Sequence, residues 1–332
     1  MNIKVIKCHG SSNDFIILDE TLLEHSFNDT ERAQLAKSLC NRQHSIGADG
    51  VLYISSSKTA HAKMSVFNSD GSEASMCGNG LRCAARYIAE RDGETKFVVE
   101  TMKANLTVEQ VESLFGTIPT YAVEISPILF DLDALPLALS SNDLINQPVL
   151  DWHPDLAFSA VAVPNPHLIS TVTAEVLTSD VQQTLAEQFN SPNPWFKDGV
   201  NVSFVVPLDK DEIFVRTFER GVGFTNACGT AMSSSSLVQV LLGHSEPGQS
   251  IDVYNDGGRV KCVIHRENDD YKRIDLIGNA TFTDYFELEN KDVSPFAFSI
   301  VKHTKTDEED TYQVMARRAK EHILAHNPGL LS

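Results

Sequence analysis

The sequence predicts an α/β (α+β) protein made of two similar, pseudo-symmetric domains, and three observations predict it. Two stretches, SEASMCGNGLRC at 72–83 and TNACGTAMSSSS at 225–236, share a small or polar lead-in, a Cys-Gly pair and a following run that reads as a helix. Strand-like and helix-like segments come in the same order before each pair. The intervals also agree. Asn13 precedes Cys77 by 64 residues and Asn165 precedes Cys228 by 63; Gly50 and Asn201 each lie 27 before their cysteine, and Phe67 and Phe218 each 10 before. Identity between the halves is low, so architecture is repeated more than sequence. Such a duplication is expected to place equivalent residues on either side of a cleft.

In the first half, 4–7 and 15–18 read as strands around the turn HGSSND. Residues 29–40 read as a helix capped by Asn28 or Asp29, with Leu35, Ala36 and Leu39 on one face. Strands follow at 51–54 and 63–68. Residues 77–91 read as a helix with Leu81, Ala84, Ala85 and Ile88 apolar, ended by Gly93. Two short strands are expected near 96–101 and 104–109. The second half repeats the order. Strands at 159–163 and 168–172 flank PNPH, a helix covers 180–189, strands cover 202–206 and 213–218, and a helix runs over 228–242 to Gly243.

The expected divisions are an N-terminal domain at 1–122, a C-terminal domain at 123–278 that opens on an irregular, proline-bearing connector (123–158), a strand at 279–289 that returns to the first domain, and a helical extension at 290–332. In the extension, Tyr312, Met315, Ala316, Ala319 and Ile323 share one helical face, with acids at 307–310 and bases at 317–320. It is expected to dock on the globular body without a part in the chemistry.

Composition narrows the partners. Of 332 residues, 42% are hydrophobic and 22% charged, as in ordinary globular proteins, and the formal net charge is −18. That field repels phosphate backbones and anionic membranes, so nucleic acid and membrane partners are not expected and the substrate is small. No apolar run has the roughly 20 residues of a membrane span, and MNIKVIKCHG is not a signal peptide. Six cysteines spread along such a chain are expected to be reduced cytoplasmic thiols, not a disulfide framework. No metal site is expected.

A cysteine at a helix N-terminus meets unpaired N–H groups and the positive end of the dipole, which favour its thiolate. The same groups hold a carboxylate. Two such ends suit a reaction that takes an α-proton from one face of an amino acid and returns one to the other, with one thiol as base and one as acid. Taken singly, a buried cysteine is inert packing; that reading suits Cys8, Cys40, Cys83 and Cys262, while the matched placement of Cys77 and Cys228 favours function. Asn13, Asn68, Asn165 and Asn201 each suit a turn, and His167 an ordinary loop. As a set at matched offsets, the asparagines form a ring of neutral polar groups for a zwitterion. Arg220 then supplies a carboxylate clamp and Glu219 a partner for an ammonium.

HGSSNDF, IGADGVL, NSDGSEASMCGNGLRCAARY, PNPH, VNVSFV and ERGVGFTNACGTA, in this order over residues 4–289, resemble the diaminopimelate epimerase family. The resemblance implies two domains, each a mixed β-sheet wrapped around a central α-helix. It also implies cofactor-independent interconversion of LL- and meso-2,6-diaminoheptanedioate, for lysine and peptidoglycan precursors, in a family that often forms homodimers. Cys77 and Cys228 match its acid/base thiols. Gly78, Asn79, Gly229 and Thr230 match the backbone positions that hold the reacting carboxylate. Asn13, Asn68, Asn165, Asn201, Glu219 and Arg220 match its substrate-binding set, and His167 matches an assisting histidine near the thiols. Three features depart from the pattern: Phe224 stands in place of Glu, Ala231 in place of Gly, and the extension is additional. A proline or hydroxyproline racemase of the same fold, a thiol hydrolase and an inactive binding protein are the alternatives. Glu219, Arg220 and the asparagines favour a substrate with two charged ends.

Overall fold

A computed structural model describes residues 2–290, 296 and 298–331. The chain divides into two compact units, Met1–Val123 with Gly278–Val314 and Glu124–Ile277 with Met315–Ser332. Among the described residues no helix is long and apolar enough to cross a membrane.

The first unit is a mixed sheet. Asn2–Gly10 pairs antiparallel with Asn13–Asp19, which pairs parallel with Gly50–Ser55. Ala62–Asn68 follows antiparallel, Lys96–Glu100 parallel, then Asn105–Val111 and Thr120–Ile125 antiparallel. Thr281–Asn290 closes on the other side of Asn2–Gly10, antiparallel, and carries Phe298–Lys305 on its outer edge. Against these strands packs the helix Gly78–Asp92, which ends as Gly93 takes a left-handed φ of 77°. It is buried continuously from Gly78 to Arg86, because strands contact it from several sides. A second helix, Asp29–Leu39, is started by a reciprocal capping box between Asn28 and Glu31. It covers the outer face with Leu35, Ala36 and Leu39.

The second unit repeats this succession of pairings. Ala157–Ala162 pairs antiparallel with Pro166–Thr171, which pairs parallel with Asn201–Asp209. Glu212–Glu219 follows antiparallel, Ser250–Asn255 parallel, then Gly258–Glu267 and Asp270–Asn279 antiparallel. The helix Gly229–Leu241 packs against these strands, and every residue from Gly229 to Val240 is buried. Four consecutive serines, Ser233 to Ser236, supply the small side chains that such close wrapping requires.

Two segments differ from expectation. The connector lacks long regular structure, yet Leu132, Leu135, Leu137, Leu144, Trp152 and Leu156 are buried in the core of the second unit. Trp152 there meets Phe158, Phe189, Trp195 and Phe196 at ring-centroid distances of 5.0–6.0 Å. The extension contributes the strand Phe298–Lys305 before its helix, Glu308–His326. Residues 308–314 of that helix belong to the first unit and 315–326 to the second. Tyr312, Met315, Ala319 and Ile323 are buried as the helical spacing predicts.

Candidate active site

In the first unit Cys77 is the N-cap of the helix Gly78–Asp92, in extended conformation, and its Sγ accepts the Gly80 N–H at 3.4 Å. Asn13 stands beside it. Its Oδ1 lies 3.8 Å from Cys77 Sγ and accepts the Asn79 side-chain amide at 3.3 Å, while its own Nδ2 donates to Asp49 at 2.8 Å. Asp49 is in turn held with Asp14 by Arg42, at 2.8 and 2.7 Å. Cys77, Asn13, Asn79 and the first turn of the helix, including Gly78, thus form one cluster. Asn68 lies at the end of its strand and bonds Ser72 at 2.9 Å.

In the second unit Cys228 is likewise an extended N-cap, of the helix Gly229–Leu241. It is only 9% exposed. Burial first, and the negative charge of Glu219 second, push its thiol well up, against the opposing bonds from the Thr230 hydroxyl and the Ala231 N–H. Thr230 Oγ1 lies 3.5 Å from the sulfur. Glu219 also accepts the Thr225 hydroxyl. Asn201 Oδ1 accepts the Arg220 N–H at 2.9 Å, and the exposed Arg220 guanidinium donates to the Asp198 carbonyl at 2.8 Å. His167 is opposite Asn201 in the parallel register and fully buried. Neither of its ring nitrogens has a hydrogen-bond partner among the described residues. Asn165 is half-buried on the turn before it. Phe224 is exposed, edge-on to Phe218 at 5.2 Å and under the Arg216 guanidinium at 4.9 Å.

What sequence reasoning missed is the support behind Asn13. Ser11 and Ser12 link the two strands of a hairpin whose last pair is Gly10–Asn13, and their φ values are 55° and 64°. A two-residue turn with both φ positive favours Asn-Gly, and serine pays about 1 kcal/mol or more at each position. Surrounding groups hold it. The Ser11 N–H donates to Asn279 Oδ1 at 2.8 Å, Arg82 donates to Ser11 Oγ at 3.0 Å, and the Ser12 N–H donates to His9 Nδ1 at 3.2 Å. Gly10 is required here, since a Cβ would lie 2.8 Å from the Asn79 carbonyl oxygen. The extension helix completes the shell. Tyr312 reaches the Ser12 hydroxyl at 3.1 Å, Glu309 meets His9 Nε2 at 2.8 Å, and Glu308 takes both outer nitrogens of Arg86 at 2.5 and 2.7 Å. The extension therefore stands directly behind the Asn13 turn, closer to the candidate chemistry than its amphipathic pattern suggests.

A mixed sheet around a helix whose N-cap is a cysteine, built twice, defines the class. The fold is that of a Bacillus anthracis phenazine biosynthesis protein of the PhzF family, with a TM-score of 0.62 at 17% identity over 87% of this chain and 100% of that one. A hydroxyproline epimerase from Agrobacterium vitis has a TM-score of 0.59 at 13% identity, over 86% of this chain and 90% of its own. Within that class the chain belongs to the diaminopimelate epimerase family, whose model matches residues 5–114 and 159–283. It is 48% identical over 327 residues to a diaminopimelate epimerase of Listeria monocytogenes, covering 97% of this chain and 98% of the relative.

Proposed function

We propose that the protein interconverts LL- and meso-2,6-diaminoheptanedioate without a cofactor, as a soluble cytoplasmic enzyme that forms a homodimer, and that Cys77 and Cys228 each serve one face of the reacting carbon. The observation that carries the reading is the repeated placement of a cysteine at the N-cap of a sheet-wrapped helix, in a chain of this family.

The thiolate of one cysteine takes the α-proton and becomes a thiol; the thiol of the other gives its proton to the opposite face and becomes a thiolate. Burial and Glu219 favour a protonated Cys228, which suits it as the donor when Cys77 abstracts from the LL isomer. The first N–H groups of each helix, at Gly78 and Asn79 and at Gly229 and Thr230, lack intrahelical acceptors and suit a carboxylate gaining charge in the carbanion. Asn13, Asn68, Asn165 and Asn201 bind the zwitterions, Arg220 the distal carboxylate and Glu219 an ammonium. His167, buried and uncharged, assists from beside Asn201.

Incubation with the LL isomer in deuterated water tests this. Meso product carrying one deuteron at the inverted centre is expected. No exchange with this substrate, alongside exchange of proline or hydroxyproline, would transfer the protein to the racemase reading.

A further inference from the structure

We propose that Glu212, His322 and His326 form a site for a first-row divalent transition metal ion, for which Zn²⁺ is the probe, and that the ion clips the last turns of the C-terminal helix to the strand Glu212–Glu219. All three residues belong to the second unit, and none is among the epimerisation residues.

One ring nitrogen of each histidine and one carboxylate oxygen of Glu212 lie within 4.8 Å of one another. His322 and His326 are four apart on the helix Glu308–His326, so they share a face. His322 Nε2 is 2.6 Å from Glu212 Oε2. The two imidazoles are 4.2 Å apart between centroids.

The groups around these side chains are those a metal-binding imidazole needs. His326 Nδ1 lies 2.9 Å from the carbonyl oxygen of His322. A carbonyl only accepts, so Nδ1 carries the proton and Nε2 keeps its lone pair. A second ring nitrogen bonded to a carbonyl is the outer contact that fixes ligand tautomer and orientation. His322 is held in plane by stacking on Tyr254 at 4.7 Å and 17°.

An ion pair between His322 and Glu212 accounts for two of the three residues and leaves the third unexplained. A partly exposed pair of that kind contributes little. His326 is the last residue of its helix, where the negative end of the dipole favours a cation. Glu212 and His322 are half-buried and His326 is exposed, so an ion can enter and water can complete a tetrahedron. Two imidazoles and one carboxylate suit zinc, cobalt or nickel; calcium and magnesium prefer oxygen ligands.

Untagged full-length protein is titrated with Co²⁺ by visible absorption and with Zn²⁺ by calorimetry. One equivalent of cobalt is expected, with ligand-field bands but no thiolate charge-transfer band in the near ultraviolet. Zinc displaces it and raises Tm. His326→Ala, an exposed change, and Glu212→Gln should each weaken binding at least tenfold with unchanged circular dichroism. Undiminished affinity in His326→Ala overturns the site, and a thiolate band in the wild type overturns it by placing the ion on cysteine. If His322→Ala fails to fold because it stacks on Tyr254, the His326→Ala titration still decides.

Discussion

The hydroxyl of Tyr312 lies 3.1 Å from that of Ser12, 300 positions away in sequence. It ties the C-terminal helix to a turn whose two residues both have positive φ and which presents Asn13 beside Cys77.

Tyr312→Phe should therefore loosen the turn without unfolding the unit, since the ring stays buried. A net hydrogen bond contributes about 0.5–1.5 kcal/mol, so kcat/KM is expected to fall roughly three- to tenfold. Steady-state kinetics and a melting curve check this together. Unchanged kinetics would remove the extension from the site. Truncation before Glu308 should cost much more, because Arg86 is left buried without that carboxylate.

Cys77→Ala and Cys228→Ala should each abolish epimerisation. With a diaminopimelate analogue carrying a leaving group on the β-carbon, abstraction alone suffices for elimination. Each variant should then process only the stereoisomer whose α-hydrogen faces its remaining thiol, with opposite preferences. Equal elimination of both isomers by either variant would rule out the two-base mechanism.

His167 sets a pH dependence of stability. Burial first, and the Arg220 charge second, hold its imidazole at about 3, below the ordinary 6.5. The unfolded chain takes up a proton near 6.5 that the folded chain refuses until about 3. The contribution is therefore full above 6.5 and is lost as pH falls through that window. His167→Leu should lose less stability than the wild type between pH 7 and 4, measured by urea midpoints. Parallel losses in the two proteins would mean that His167 takes up its proton while folded.

Ser235 should be replaceable at a gain. Ser233, Ser234 and Ser236 each return their hydroxyl to a carbonyl of their own helix, at 2.9, 3.1 and 2.9 Å. The buried Ser235 hydroxyl has no partner among the described residues. Ser235→Ala removes an uncompensated polar group and should raise stability by about 1 kcal/mol, read as a higher urea midpoint. A lower midpoint would show that the hydroxyl has a partner, such as an ordered water.

The two Cys-Gly helices were legible because their caps, apolar faces and glycine stops are local. The duplication followed from matched offsets along the chain, and the sheet wrapped around each helix from the family resemblance. The strand Phe298–Lys305 was not legible: it lies on a sheet edge with nearly every side chain exposed, so no alternation of apolar residues marks it. Prolines hid the buried leucines of the connector. The support of Asn13 joins His9 and Ser12 to Glu309 and Tyr312, and no local pattern encodes a contact over that separation. His322 and His326 did leave a signal, their four-residue spacing, which the expectation of no metal site passed over. Their third partner, Glu212, is 110 positions away.

Arg82 and Arg86, buried in the first helix of the Cys-Gly pair, take the carbonyls of Asn279 and Ala280 at 3.0 and 2.8 Å, and Arg86 also takes Glu308. This sets an order of assembly during synthesis. Residues 1–123 emerge from the ribosome first, yet their central helix carries two guanidinium groups whose partners are made near the end. The body of the second unit, 124–277, is continuous and has its full strand order before those partners exist. The half translated first thus waits for residues 278–314, which are made only after 124–277, and until then it depends on whatever shields an unfinished sheet in the cell.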